Sequence, residues 1–97
     1  ELKSILEDAK TGAGVPSLNQ LAEFVGASGA SLSRQNTGHL FPRPETMVNL
    51  CKLGGHDPKL GLLYLSYWTS KGEAKLIYKD WIAEREATLN ARASSKT

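Results

Sequence analysis

Arg34 is the one long cationic side chain in the run Ser28-Gly29-Ala30-Ser31-Leu32-Ser33-Arg34-Gln35-Asn36-Thr37, whose other members are small or neutral. A guanidinium can grip O6 and N7 of a guanine with two hydrogen bonds, and the hydroxyls of Ser28 and Ser33 can meet base edges of either kind. Gly29 and Ala30 let a backbone approach a duplex closely, and the Ala30 methyl can touch a thymine methyl. Gln35 could read adenine if it faces outward. Asn36, Thr37, His39 and Arg43 follow at positions suited to phosphate, with Ser17, Gln20 and, more weakly, Lys10 upstream. From Phe24 to Pro44 there is no Asp or Glu, so this window can face phosphate without repulsion. Plainer readings stand beside these: Arg34 as a solvated helix residue, His39 as an exposed loop histidine, the window as a neutral Gly/Ser-rich loop.

Other chemistry finds little footing. There is no Ser/His/Asp or Cys/His arrangement on plausible elements. Gly12-Ala13-Gly14 follows a helical pattern and lacks the lysine of a phosphate-binding loop. Cys51 is the single cysteine and the histidines are only His39 and His56, so neither a disulfide nor a zinc site is expected. Cys51 lies in an apolar stripe and reads as a core thiol; His56 reads as a loop histidine beside a helix cap. Glu84 and Glu86 fall on different faces of a helix, as surface charges do. Tyr64, Tyr67, Trp68, Tyr78 and Trp81 recur at helical spacing, which favours a core or a dimer interface over base stacking. The expectation is a non-enzyme with no cofactor, no metal and no small-molecule substrate.

The elements that must position these residues read as helices throughout. The chain has 97 residues, 40% apolar and 23% charged, with a net charge of +2. That is enough for one domain and too apolar for a disordered segment. No stretch reaches the ~20 apolar residues of a membrane span, and no basic head precedes an apolar run. A reducing, cytoplasmic setting is the simplest expectation. Leu2, Ile5, Leu6 and Ala9 mark a first helix, ended by Thr11-Gly12-Ala13-Gly14-Val15-Pro16. Ser17-Leu18-Asn19-Gln20 has the form of a capping box opening a second helix with Leu18, Leu21, Ala22 and Val25 on one face. Gly26 stops it, and Ser28 caps a third helix from Gly29 to about Thr37. This third helix is too polar to stand alone: it needs support at Leu32 and a polar task on its other side.

Pro44 starts a fourth helix carrying Met47, Val48, Leu50, Cys51 and Leu53, closed by Gly54-Gly55. Asp57-Pro58 opens a fifth, whose apolar residues from Leu60 to Trp68 point nearly all round, so that one side meets the core and another the last helix or a second subunit. Ser70-Lys71-Gly72-Glu73 reads as a second capping box, opening a helix with Ala74, Ile77, Tyr78, Trp81 and Ile82 in a stripe. No period-two run suggests a strand. The expected division is residues 1–69, a C-terminal helix over 70–92, and a flexible tail over 93–97.

The segment from Leu18 to Thr37 has the length and layout of a helix-turn-helix. Ala22 is small where two helices would cross, Gly26 stands where the chain leaves the first, and Leu21, Val25 and Leu32 would set the angle. Here the chain resembles the lambda-repressor-like (Cro/repressor type) family of bacteria and phages. The resemblance runs through Leu21-Ala22-Glu23-Phe24-Val25-Gly26-Ala27-Ser28, Leu32-Ser33-Arg34, Thr37-Gly38 and Pro42-Arg43-Pro44. It continues in Met47 to Gly55 and Asp57-Pro58 to Leu65, and the opening Leu6-Glu7-Asp8-Ala9-Lys10 is similar to small prophage regulators. Two positions depart: Gln35 stands where the family has an apolar residue, and Leu18 where it often has glutamine.

The resemblance implies an all-α, lambda-repressor-like bundle of about five helices plus a C-terminal amphipathic helix. It implies base contacts from Ser28, Gly29, Ala30, Ser33 and Arg34, with Gln35 added if outward-facing, and phosphate contacts from Ser17, Gln20, Asn36, Thr37, His39 and Arg43. The expected partner is a double-stranded DNA operator with two-fold symmetry, bound as a homodimer through Tyr64, Tyr67, Trp68, Ile77, Tyr78 and Trp81. The alternatives are an antitoxin-like or phage adaptor module that binds a host protein, and an excisionase-like architectural factor.

Overall fold

A computed structural model describes residues 2–95. Six helices follow in order: α1 (Leu2–Ala13), α2 (Leu18–Val25), α3 (Gly29–Asn36), α4 (Pro44–Gly54), α5 (Pro58–Thr69) and α6 (Gly72–Ser95). No strand occurs among the described residues, so the chain is all-α. None of the helices is long and apolar enough to cross a membrane.

The starts of α2, α3 and α5 follow from side-chain oxygens placed to take orphan N–H groups. Ser17 Oγ accepts from the Gln20 N–H at 3.3 Å and Ser28 Oγ from the Ser31 N–H at 3.0 Å. Asp57 Oδ2 accepts from the Leu60 N–H at 2.9 Å, with Pro58 at the first helical position. Two stops are left-handed glycines, Gly26 at φ 69° and Gly55 at φ 75°, a conformation an L side chain resists.

The core forms where α1, α2, α3, α4 and α5 converge on Leu6, Leu21, Leu32, Met47, Leu50 and Cys51, all fully buried. Leu2, Ile5 and Ala9 complete the inner face of α1. α1 packs on α4, α4 on α5 and α2 on α3. Missing side chains permit two of these close approaches. A Cβ at Gly12 would lie 1.7 Å from the Leu53 carbonyl oxygen, and one at Gly61 would lie 2.3 Å from Cys51 Sγ. Gly12 was expected to help end α1. It sits inside the helix instead, because α4 passes against it.

α5 is covered on one side by α4 and on another by α6, as its all-round apolar pattern requires. Asp57 clasps the α5–α6 pair: Oδ2 accepts from Arg85 Nε at 2.8 Å and Oδ1 from Arg85 Nη2 at 2.9 Å. The Arg85 guanidinium, aided by the Leu60 N–H, holds the Asp57 carboxyl down to about 2. Ile82 is buried, Tyr64 donates to Glu86 Oε2 at 3.1 Å, and Lys75 Nζ sits 4.6 Å over the Tyr67 ring.

Two expectations about α6 need correction. Ser70 does not cap it: Ser70 is extended (φ −99°, ψ 162°) and closes α5, its N–H donating to the Tyr67 carbonyl at 3.4 Å. The helix begins at Gly72, whose φ of 64° lets the chain reverse between α5 and α6. Nor does the helix stop at residue 92. α6 continues to Ser95, as suits a segment containing Ala91 and Ala93, the strongest helix formers. Lys96 and Thr97 lie outside the described residues.

Candidate nucleic-acid interface

α2 and α3 are joined by Gly26-Ala27-Ser28. Leu21, Ala22 and Val25 on α2 and Leu32 on α3 bury their side chains, so these apolar contacts hold the polar α3 from behind. Its other face is open. Ala30, Ser33, Arg34 and Thr37, at spacings i, i+3, i+4 and i+7, are all exposed, which is one side of a helix. Ser28 is exposed at the N-terminal end of this stripe and Gly29 is half-buried.

Gln35 is not on that face. It is 5% exposed and points inward beside Leu32, because position i+3 from a fully buried residue lies on the same helical side. Contrary to the expectation, Gln35 therefore does not face a base edge. Asn36 is half-buried, and its Oδ1 is enclosed without a partner.

The flanking residues gather around α3. Thr37 Oγ1 lies 3.1 Å from the Arg34 carbonyl and 2.9 Å from His39 Nδ1. When the hydroxyl donates to that carbonyl, Nδ1 must carry the hydrogen, leaving His39 Nε2 free to face solvent. Arg43 is exposed and shares a groove with Ser28 and Ser31 at the start of α3. Neither Arg34 nor Arg43 has an ion-pair partner among the described residues. Ser17 and Gln20 stand on the first turn of α2. Lys10 pairs with Glu7 at 3.2 Å along α1, and His56 Nε2 is held by Asp8 Oδ2 at 2.6 Å, tying α1 to the α4–α5 turn.

Two features escaped the sequence reading. Asn19 is exposed and its side-chain oxygen lies where a Cβ on Gly29 would fall, 1.7 Å away. It thus seats the N-terminus of α3 and adds an amide to the interface. The signal was available in the pairing of an amide on α2 with a glycine at the first position of α3. Leu40 and Phe41 are 37% and 47% exposed beside α3; adjacent large apolar residues in a loop were the clue.

The aromatic residues expected at a dimer interface divide into two groups. Tyr64 and Trp68 are stacked with rings 5.8 Å apart, and Trp68 also stacks on Phe41 at 6.2 Å and packs against the core. Tyr67 is half-buried under Lys75. These three already contact groups of their own chain. Ile77 and Trp81 are 44% and 49% exposed, and Tyr78 meets the Trp81 ring edge-on at 5.5 Å.

No group of His, Cys, Asp and Glu among the described residues is arranged to hold a metal. Burial pushes the Cys51 thiol pKa upward, assisted by the negative Asp57, so it stays protonated and unreactive at neutral pH. Comparison with family models, curated proteins and solved structures finds no match to this chain.

Proposed function

We propose that this protein is a sequence-specific DNA-binding regulator of the lambda-repressor-like, helix-turn-helix type, with α3 as its recognition helix. The observation that carries this reading is the open stripe Ala30, Ser33, Arg34 and Thr37 on a helix whose opposite side is anchored in the core. A duplex major groove is wide enough to admit such a helix. Arg34 reads a guanine, Ser28 and Ser33 add weak discrimination, and Ala30 offers a methyl contact. Arg43, Asn19 and the first turn of α2 with Ser17 and Gln20 bind phosphate and fix the pose. The small side chains on this face leave part of the discrimination to duplex shape.

One such module spans few base pairs, so the protein acts as a homodimer on a two-fold symmetric operator, in the manner of a prophage repressor or Cro-like protein. Ile77 and Trp81, exposed on α6, supply the contact between copies, and Tyr78 braces the Trp81 ring from the inner side. The second reading is an adaptor that binds a host protein, and exposed Leu40 and Phe41 beside α3 favour it. Titration of a labelled random-sequence duplex separates the two. The DNA reading predicts that affinity falls at least about tenfold between 50 and 200 mM salt as counterions compete. Absent binding, or binding indifferent to salt, supports the adaptor.

A further inference from the structure

The polar stripe of α3 has a neighbour of opposite character. Leu40 and Phe41 are 37% and 47% exposed in the loop that follows the helix. Together with Ser28, Ser31 and Arg43 they line a groove of about 390 Å³. Around α3, Ser31 comes just past Arg34 on the side away from Ser33, so this groove borders the exposed stripe at its Arg34 edge. The opposite edge, past Ser33, is walled by α2, where Asn19 meets Gly29. A helix lying in a major groove has one sugar–phosphate strand on each side. The first turn of α2 serves one strand, and the loop after α3 stands beside the other. That loop is fixed from behind. The His39 N–H donates to the Arg34 carbonyl at 2.9 Å and the Gly38 N–H to the Gln35 carbonyl at 3.2 Å. Pro42 is buried, and the Phe41 ring stacks at 6.2 Å on Trp68, which packs against the core. No acidic residue lines the groove; Glu45 borders the adjoining one, beside Phe24.

We propose that Leu40 and Phe41 form an apolar shelf for the deoxyribose of the strand whose phosphate Arg43 binds. Each sugar ring presents C–H surface beside its phosphate, so an apolar side chain next to a cation follows the alternation of the backbone itself. A duplex accounts for both the exposed apolar pair and the acid-free surroundings of Arg43. This inference rests on the DNA-binding reading above and adds to it a source of affinity that salt does not screen, because burying apolar surface releases no counterions.

The test measures binding of the full chain to a labelled random-sequence duplex across a salt series. Leu40→Ser is expected to weaken binding about fivefold at every salt concentration, with no change in the slope of log affinity against log salt. Arg43→Ala should instead reduce that slope by about 1. Leu40→Met, which keeps an apolar chain of similar volume, should bind like the parent. A second readout needs no variant: in isotope-labelled parent protein saturated with a duplex, the Leu40 methyl protons should show nuclear Overhauser contacts to deoxyribose protons. Equal binding by Leu40→Ser, or a saturated complex without a Leu40–sugar contact, would overturn the inference while leaving DNA binding intact, and would assign the shelf to a protein partner. A reduced salt slope in Leu40→Ser would also overturn it, by tracing the loss to displaced charge. A parent protein that binds no duplex would overturn this inference and the DNA-binding reading together.

Discussion

Arg34 and Gln35 are neighbours in sequence and opposites in role, and the difference is one of helical phase. Arg34 belongs to the exposed stripe with Ala30, Ser33 and Thr37, whereas Gln35 follows Leu32 into the interior. Arg34→Ala is expected to cost about 1–3 kcal/mol in specific binding and to relax preference at one base step, with little change for random duplex; competition binding against single-base operator variants measures this. An equal loss on all sequences would reassign Arg34 to phosphate. Gln35→Leu removes an unpaired buried carbonyl and keeps the volume nearly constant, so it should stabilise the fold by about 1 kcal/mol in thermal denaturation. Gly12→Ala should destabilise by about 2 kcal/mol, because the added methyl would overlap the Leu53 carbonyl oxygen, a backbone atom that moves only with α4. The inward turn of Gln35 was only half legible. Its spacing from Leu32 places it on the core side, yet a glutamine is long enough and polar enough to argue for the solvent.

At the scale of elements, helix starts were readable wherever a side-chain oxygen precedes an apolar stripe, as at Ser17, Ser28 and Asp57. The same logic failed at Ser70, because a serine between two helices can equally follow one as precede the next. Here Gly72 makes the reversal and leaves Ser70 behind. What pairs with α5 was likewise open from periodicity alone, since an all-round apolar helix requires a second neighbour without naming it. The Asp57–Arg85 clasp is a contact across 28 positions that no local pattern announces. It carries a pH signature. The Asp57 pKa is depressed from 3.8 to about 2, so its contribution is complete above about pH 4 and disappears as pH falls through about 2. At a partly solvated edge, the contribution is on the order of 1 kcal/mol after screening. Asp57→Asn should lower the unfolding midpoint at pH 7 and flatten the stability profile between pH 4 and 2, as followed by denaturant titration.

For the whole molecule, the fold holds a polar helix out to solvent at one edge and leaves an apolar stripe on α6 uncovered at another. Ile77 and Trp81 lie one helical turn apart and are about half exposed, so replacing both by serine should lower the melting temperature only modestly, chiefly through the lost Trp81–Tyr78 edge contact. The proposed dimer predicts that sedimentation of this double variant shifts toward monomer and that operator binding weakens while single half-site contacts persist. An unchanged dimer would move the interface elsewhere. The claim on which the rest depends is that the outer stripe of α3 meets base edges. Selection from a random duplex library, performed in parallel with the parent protein and Arg34→Ala, tests it most directly. The account predicts a two-fold symmetric site with half-sites about one helical turn apart, and loss of preference at one base pair per half-site in the variant. No enriched sequence from the parent protein, or the same sequence selected equally by both, would contradict it.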